Sequence, residues 1–539
     1  MKNYQKILAA AMAALMMTSC SDNNGSSGSD TDTSIVTETT VNAPIGDYIT
    51  NADCVPLLSI NTVSQSENVL DFVTKPVNDY VSSQIATWTP GYKKPPAPYY
   101  EACTVTLTDT DGSVLTNNQT ANVKVRGNWT TNYAKKPLRI KFDTKQNLLG
   151  MNDGGEMRNW ILLAEYKDGS MLRNKTALSI ASELYGSSGL YCADSRFVEV
   201  EINGQYWGMY LLTEQQQVNP DRVNITEPAV DYQGTDIGYF LEFDGYYSNE
   251  DTLHSFYVDY ADNAPLVPFD GSDDGGGKTI TCLPEKAGDR KKNIGISIKS
   301  DIYSQEQKDF IANFVNSAYE IMYAAAYEDK ALVFDADMNT LSESTEITPQ
   351  EAVGRVVDLS SLADMYIISE LTCDADIYWS SFFMSADFGA QGSKKLRFEA
   401  PWDFDSAMGN KDRCADGTGF YAANIVPDVN GNEYKTINPW LAVLMNEEWF
   451  REIVREKWTS FYDSGVFDRA YKMIEDDKTQ LSNAFERNYK RWNNIVNNSE
   501  FSNELSKESA ACKTHGEAAD YLGRWLRSRV SFLNDYWHK

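Results

Sequence analysis

The chain has 539 residues and a formal net charge of -29 at pH 7, with 42% hydrophobic, 12% aromatic and 23% charged residues. This length is enough for two or three domains with a sizeable buried core. An acidic surface repels nucleic acid and anionic lipid headgroups, so we expect no nucleic-acid partner, and a nucleotide site would need its own basic cluster. The chain contains 3 histidines, which argues against histidine-based zinc chemistry.

Residues 1–20 have the pattern of a bacterial lipoprotein signal peptide. Lysines open the segment, an apolar run extends from Ile7 to Met17, and small residues directly precede Cys20. The run is too short for a stable membrane anchor, and no other stretch approaches the roughly 18 apolar residues that a membrane helix needs. We therefore expect a lipid on Cys20 to be the sole membrane attachment; an ordinary secretory signal cleaved nearby is the alternative.

Residues 21–50 are predicted to be a flexible linker, because their first half is polar and rich in glycine and serine. The pair Ser21-Asp22 after the cysteine resembles signals that direct lipoproteins to the outer face of some Gram-negative cells. We expect an exported lipoprotein, anchored to the membrane and located at the outer membrane or cell surface.

Residues 51–215 are predicted to be rich in β-strands. Apolar and polar residues alternate around Asp111-Gly112, a hairpin signature, and the strand that follows carries Arg139 and Lys141 on one face. Two further alternating runs flank Asn203-Gly204, which favours a type I′ turn, and the second run ends at Glu214.

Residues 216–539 are predicted to be mainly helical. A helix opens with a capping box of Ser304 and Gln307, and the chain is mostly helical from Trp440 onward. The segment "GGGKT" ends like a phosphate-binding loop, but Ser272 occupies the position where that motif requires glycine, so a flexible loop is the better interpretation. The overall fold class is α+β.

A hairpin is predicted within the mainly helical part of the chain, at residues 373–410. A helix ends near Leu371 and is followed by Asp374 and Asp376; the segment "IYWSSFFMSA" is a strand, and "LRFEAPW" is a returning strand that ends at Asp403. Because the two ends of a hairpin lie close together, carboxylates from both ends should meet. Phosphoryl transfer needs one carboxylate to orient the attacking hydroxyl and another to hold magnesium, which prefers oxygen ligands.

The segments "VKVRGNWTTNYAKKPLRIKF", "NWILLAEYKDGSMLRNKTAL", "VEVEINGQYWGMYLLTEQ", "DADIYWSSFFM" and "APWDFDSAMGN", in this order, resemble the CotH kinase family, named for a spore-coat protein. The resemblance covers roughly Cys54 to the C-terminus. It implies a protein-kinase-like two-lobed fold, with a sheet-rich N-terminal lobe at 51–215 and a mainly helical C-terminal lobe at 216–539 that carries the catalytic hairpin at 373–410. It also implies ATP and Mg²⁺ or Mn²⁺ as cofactors, and a protein substrate with a serine or threonine acceptor.

The resemblance assigns roles to residues of the hairpin. Asp376 matches the catalytic aspartate, Asp403 matches the first metal-binding acid of the W-D-x-D motif, and Asp405 is the second metal ligand. Ser381 occupies the position of a metal-binding asparagine in protein kinases, and its hydroxyl is a weaker ligand. Trp402 is assigned to stacking on adenine, with a core position as the alternative.

The resemblance also assigns nucleotide-binding residues in the sheet-rich part. A phosphate-facing role is expected for the "RGN" segment, Arg126 to Asn128. Lys141 is the strand lysine expected to contact the phosphates, with Arg139 as the alternative. Arg173 opens a helix in a structural or phosphate-side role, and a glycine-rich phosphate loop is lacking from the sequence. The assigned nucleotide-binding residues are Arg126, Asn128, Lys141, Glu214 and Trp402.

Three hypotheses for function follow. The first is an exported, lipid-anchored kinase that transfers the γ-phosphate of ATP to serine or threonine of a surface or secreted protein. The second is a kinase-like scaffold of weak or no catalytic activity that serves in surface binding, adhesion or assembly. The third is transfer of AMP or glutamate on the same fold.

Overall fold

The computed structural model describes residues 55–64, 66–74, 99–127, 129–272, 277–281, 294–412, 415–425, 436–501 and 504–539. The predicted signal peptide and linker lie outside these ranges. The chain divides into two compact units. Unit 1 contains the described residues up to Lys175 together with Asp194–Gln215 and Ile474–Asp520, and unit 2 contains Thr176–Ala193, Gln216–Met473 and Tyr521–Lys539.

Unit 1 is built on a closed barrel of seven strands. Neighbouring strands pair in the order β1-β2-β3-β4-β5-β7-β6, and a parallel pairing of β1 with β6 closes the barrel. The strands are β1 (Leu57–Thr62), β2 (Glu101–Thr108), β3 (Val114–Val125), β4 (Leu138–Gln146), β5 (Met157–Leu163), β6 (Ser195–Ile202) and β7 (Gln205–Glu214).

Alternation along the barrel strands separates a buried from a solvated face. In β1, for example, Leu58 and Ile60 are fully buried whereas Asn61 is exposed, as the two-residue period of a strand requires. The turn between β6 and β7 has φ values of 52° at Asn203 and 72° at Gly204. Both are positive, which confirms the predicted type I′ geometry.

The sheet of unit 2 has five strands in the order β14-β13-β8-β10-β9, and a separate hairpin pairs β11 with β12. Within it, β13 is antiparallel to both β8 and β14. The strands are β8 (Gly238–Asp244), β9 (Ser255–Phe256), β10 (Gly295–Ile298), β11 (Ala331–Phe334), β12 (Leu341–Ser344), β13 (Phe382–Asp387) and β14 (Leu396–Phe398).

The helices of the described residues concentrate in the second half of the chain, as predicted. The capping box of Ser304 with Gln307 is present at the start of α5. The helices are α1 (Asp71–Thr74), α2 (Met151–Gly154), α3 (Arg173–Gly186), α4 (Tyr260–Asn263), α5 (Gln305–Tyr327), α6 (Pro349–Val356), α7 (Leu359–Thr372), α8 (Pro439–Ala442), α9 (Glu448–Asp463), α10 (Val466–Gln480), α11 (Ser482–Trp492), α12 (Lys507–Ala511) and α13 (His515–Trp537). Within the described ranges, no helix combines the length and apolarity needed to cross a bilayer.

The division into units differs from a single cut after residue 215, because residues 474–520 belong to unit 1 and residues 176–193 to unit 2. Helix α11 explains the first difference, since its side chains satisfy backbone groups of β7. Asn488 accepts the Met209 N–H at 3.2 Å, and the Trp492 indole donates to the Trp207 carbonyl at 2.8 Å. A hydrogen-bonded helix of this kind, distant in sequence, cannot be assigned to the barrel from local pattern alone.

The architecture is mixed α+β, with a sheet-rich unit 1. The arrangement of two kinase-like lobes remains a prediction. Both strands of the hairpin are shorter than predicted: residues 377–381 form a turn before β13, and β14 ends at Phe398. The reason is local, because Ser381 and Ala400 both have φ of 59°, which an extended strand does not accommodate.

Candidate active site

The hairpin of β13 and β14 carries a cluster of acidic residues at its open end. Asp376 precedes β13 by a short turn, in which its carbonyl accepts the N–H groups of Trp379 and Ser380 at 2.8 and 3.0 Å. Asp403 and Asp405 follow β14, on a loop and a one-turn 3₁₀-helix (Phe404–Ser406). One oxygen of each of Asp376, Asp403 and Asp405 lies within 4.8 Å of the others.

This donor set fits a divalent metal ion. All three carboxylates are half-buried, so they are reachable from solvent but partly withdrawn from it. Like charges at such separations repel one another, and a divalent cation between them offsets that repulsion. Carboxylate oxygens are the ligands that Mg²⁺ and Mn²⁺ prefer, and one or two carboxylates suffice for Mg²⁺.

Ser381 joins the cluster through its side chain. Its Oγ donates to Asp403 Oδ2 at 3.4 Å, and its backbone N–H donates to Glu242 Oε1 at 2.9 Å. The residue has a φ of 59°, in the left-handed region that few non-glycine residues occupy. The structure therefore brings the predicted serine to the predicted metal ligand.

The loop that carries Asp403 and Asp405 is fixed from several sides. Asp403 itself is left-handed, with φ of 73°. The buried Asn410 donates through Nδ2 to the Asp405 carbonyl at 2.7 Å, and the Met408 N–H donates to the Thr372 carbonyl at 2.7 Å, which joins the loop to the end of α7. These bonds hold the two acids in a defined position relative to the helix that precedes Asp376.

Gly409 is required in this loop for space as well as for conformation. Its φ is 72°, and a Cβ at this position would lie 2.5 Å from Trp525 Cδ1 and 2.7 Å from the Tyr521 hydroxyl, both on α13. Tyr521 donates to the Gly409 carbonyl at 2.9 Å. The glycine and asparagine after the W-D-x-D motif thus support the acids, a role that the sequence did not reveal.

A buried ion pair joins Glu370, in the last turn of α7, to Arg529 on α13. Glu370 and Arg529 are 1% and 0% exposed, and Glu370 also accepts the backbone N–H groups of Tyr421 and Ala422 at 2.9 and 3.0 Å. Burial raises the pKa of Glu370 above its ordinary value, and the nearby guanidinium of Arg529 partly offsets this. Neither residue belongs to a recognisable sequence motif, so neither was predicted as part of the site.

Trp402 is 5% exposed and lies among the core residues of unit 2. This burial agrees with the alternative that the sequence left open, a core aromatic. Its role toward adenine remains a prediction.

A basic cluster lies on the barrel of unit 1, where phosphate contacts were predicted. Lys124 on β3 pairs in register with Arg139 on β4, and burial together with Arg139 and Arg126 lowers the pKa of Lys124. Arg126 and Arg139 are half-buried and Lys141 is exposed. Asn128 lies outside the described residues. Lys124, Arg126 and Arg139 thus interact electrostatically in this acidic chain, and Lys124 was not among the predicted residues.

Arg139 and Glu214 both have structural partners within unit 1. Arg139 donates to Asn159 Oδ1 at 2.9 Å, and Glu214, 1% exposed, accepts from Asn152 Nδ2 at 3.2 Å and from the Asp194 N–H at 3.0 Å. Glu214 ends β7 as predicted. Its contacts fix the strand end, and a role toward nucleotide remains a prediction.

Arg173 opens α3 as predicted and is fully buried against Asp168. The Asp168 carboxylate also accepts the Arg173 backbone N–H at 2.9 Å, so it caps the helix start while it neutralises the side chain. Arg173 was expected to have a structural or a phosphate-side role, and these contacts give it the structural one.

Two lysines before β4 are buried rather than exposed. Lys135 donates to the carbonyls of Ala164 and Met209, and burial lowers its pKa well below the ordinary value. Lys136 donates to the carbonyls of Thr131 and Tyr133 at 2.7 and 2.8 Å, and burial lowers its pKa to about 8. Their charge is used inside the barrel, whereas Lys141 on β4 is exposed.

The family model described as CotH kinase protein matches residues 123–510, which is most of the chain. The match spans both units, including the basic cluster from Lys124 onward and the acids of the hairpin. The chain therefore belongs to the CotH kinase family. Among curated proteins, no significant match was found.

Proposed function

We propose that the protein is a metal-dependent phosphotransferase that transfers the γ-phosphate of ATP to a serine or threonine of another protein. The observation that carries this proposal is the convergence of Asp376, Asp403 and Asp405 at the open end of one hairpin, in a chain that belongs to the CotH kinase family. A kinase-like domain is the part that family membership establishes. The reaction and the acceptor are the proposal.

Each acid has a distinct task in this reaction. Asp403 and Asp405 would hold a divalent cation, which when bound neutralises charge on the phosphates. Asp376 accepts a hydrogen bond from the acceptor hydroxyl, orients its oxygen toward the γ-phosphorus, and takes up its proton as the new P–O bond forms and the bond to ADP breaks. Ser381 supports Asp403 through its hydroxyl.

Within unit 1, the basic cluster is the part that we propose for contact with phosphate groups. Arg126 and Lys141 are the residues assigned to this contact, with Asn128 beside them in the chain. Arginine suits this task because its planar group binds phosphate oxygens in pairs, and lysine acts as a point charge.

The N-terminal sequence supports the proposed location at the membrane surface. A lipid on Cys20 and a linker over residues 21–50 would leave the catalytic part tethered to the membrane surface, within reach of secreted and surface proteins.

Label transfer tests the proposal and separates it from its alternatives. Protein lacking residues 1–20 is incubated with Mg²⁺ or Mn²⁺ and either γ-labelled or α-labelled ATP, beside an Asp403→Asn variant. Metal-dependent incorporation of γ-label that the variant loses supports the kinase. Incorporation of α-label indicates AMP transfer instead. No label, together with no thermal shift on adding nucleotide and metal, contradicts the proposal and favours a binding module.

A further inference from the structure

Glu242, on β8, contacts the candidate metal site through Ser381. Its Oε1 accepts the Ser381 backbone N–H at 2.9 Å, while the Ser381 hydroxyl faces Asp403 Oδ2 at 3.4 Å. Glu242 lies opposite Phe383 in the pairing of β8 with β13, so the sheet itself delivers its carboxylate to the residue just before β13. Glu242 is not among the residues assigned to the site.

The other oxygen of Glu242 is anchored by Lys299. The ammonium lies 2.9 Å from Glu242 Oε2, 3.3 Å from Glu250 Oε1 and 3.9 Å from Asp244 Oδ2. Burial disfavours the charged form of Lys299, but Glu242 and the other carboxylates outweigh it and raise its pKa above the ordinary value. The lysine is therefore charged at physiological pH, and Glu242 is held at both oxygens.

The left-handed backbone of Ser381 needs such support. A φ of 59° is energetically unfavourable for a serine, and this conformation persists only where surrounding contacts determine it. The bond from Ser381 N–H to Glu242 is one such contact, and it sets the direction in which the hydroxyl leaves the backbone.

We propose that Glu242, anchored by Lys299, is a positioning residue that holds Ser381 in its left-handed conformation and thereby directs the serine hydroxyl to Asp403 at the metal site. This inference rests on the proposed function. Its effect on the metal is indirect, in the way that groups outside the ligand shell orient the ligands themselves.

Binding of Mn²⁺, followed by electron paramagnetic resonance, tests this without any requirement for catalysis. Glu242→Ala removes the acceptor, and we expect Mn²⁺ affinity to fall about tenfold, as is typical for loss of an outer-shell partner. Glu242→Gln keeps an oxygen for the Ser381 N–H, and we expect it to restore affinity to within about twofold of wild type. Glu250→Ala is the matched control: it removes a carboxylate from the same lysine, has no bond to Ser381, and should bind as wild type.

A second comparison separates positioning from general stability. If Glu242 acts through Ser381, then adding Glu242→Ala to Ser381→Ala causes no further loss of Mn²⁺ affinity. If Glu242→Ala instead loosens the sheet in general, the two losses of affinity add. Should Glu242→Ala fail to fold, Lys299→Met frees the same carboxylate from its anchor and should weaken Mn²⁺ binding in the same direction.

The outcomes distinguish the inference from the proposed function. Mn²⁺ binding in wild type that Asp403→Asn removes, with Glu242→Ala unchanged, overturns the inference alone. Equal losses of Mn²⁺ affinity in Glu242→Ala and Glu250→Ala also overturn the inference, since the loss of a negative charge then explains the weaker binding without any positioning of Ser381. Absence of Asp403-dependent binding in wild type overturns the proposed metal site and this inference with it.

Discussion

The Ser381 hydroxyl lies 3.4 Å from Asp403 Oδ2, although 22 positions separate the two residues in the chain. The β13–β14 hairpin makes this contact, because its antiparallel pairing returns the chain to its starting point. Asp376 and Asp405 lie near the same open end. A site built on one hairpin needs no long-range rearrangement to assemble its acids.

Asp376→Asn is expected to separate catalysis from metal binding. If Asp376 orients and deprotonates the acceptor hydroxyl, the amide should lower kcat by about 10²- to 10⁴-fold, the usual contribution of a general base. Mn²⁺ affinity should change far less than in Asp403→Asn, since both assigned metal ligands, Asp403 and Asp405, remain. Steady-state kinetics and Mn²⁺ titration of the same preparation measure both quantities. An equal loss of affinity in the two variants would make Asp376 a metal ligand instead.

Ser381→Asn is expected to tighten metal binding. Asparagine tolerates the left-handed φ of 59° better than serine does, and its amide oxygen is a stronger ligand than a hydroxyl. We expect Mn²⁺ affinity to rise about 3- to 10-fold. The matched control is Ser380→Asn, one position earlier and on the turn. Weaker binding in Ser381→Asn than in wild type would show that the serine hydroxyl itself is required.

Arg529→Met is expected to destabilise the protein by about 3–5 kcal/mol, because it leaves the Glu370 carboxylate buried without its cation. Both side chains of this pair are at most 1% exposed. Arg469→Met is the control, since the pair of Arg469 with Glu183 is 53% and 38% exposed and should leave the unfolding midpoint unchanged. Urea denaturation measures both. Similar midpoints for the two variants would refute the structural role of the buried pair.

His515 is expected to make stability depend on pH. Its ring stacks on Phe485 at 3.6 Å between centroids, and burial lowers its pKa from 6.5 to about 4. Between these two values the unfolded state binds more protons than the folded state, so the free energy of unfolding falls as the pH is lowered through this window. The loss is on the order of 3 kcal/mol. Below pH 4 this contribution is constant.

The substitution His515→Phe keeps a ring against Phe485 but does not titrate. Urea denaturation at several pH values between 4 and 6.5 should therefore show a flatter dependence in this variant than in wild type. An identical pH dependence in the two proteins would assign the effect to other groups.

Local patterns were sufficient for much of the hairpin and the barrel. The turn at Asn203-Gly204, the capping box at Ser304 and the helix that ends before Asp374 each have a short-range signal in the sequence, and each is present. The chain order of Asp376, Ser381 and Asp403 around a hairpin was enough to predict that these residues meet, since hairpin ends must converge.

Contacts between distant segments were beyond prediction. Glu370 and Arg529, 159 positions apart, have no local signal that pairs them, and α11 joins the barrel through bonds to β7 that only the folded chain reveals. The hairpin strands were predicted too long because the sequence gives no indication of the positive φ values at Ser381 and Ala400. The burial of Lys135 and Lys136 could not be predicted from the sequence, because lysine side chains are ordinarily exposed.

Direct titration with Mn²⁺ tests most simply whether Asp403 and Asp405, which lie beside Asp376, hold one divalent cation. Electron paramagnetic resonance of wild type, Asp403→Asn and the control Glu346→Gln, which removes an exposed acid of the same unit, gives the affinity of each. We predict one Mn²⁺ site in wild type and in Glu346→Gln that is lost in Asp403→Asn. Equal binding in wild type and Asp403→Asn would contradict the assignment of Asp403 and Asp405 as metal ligands.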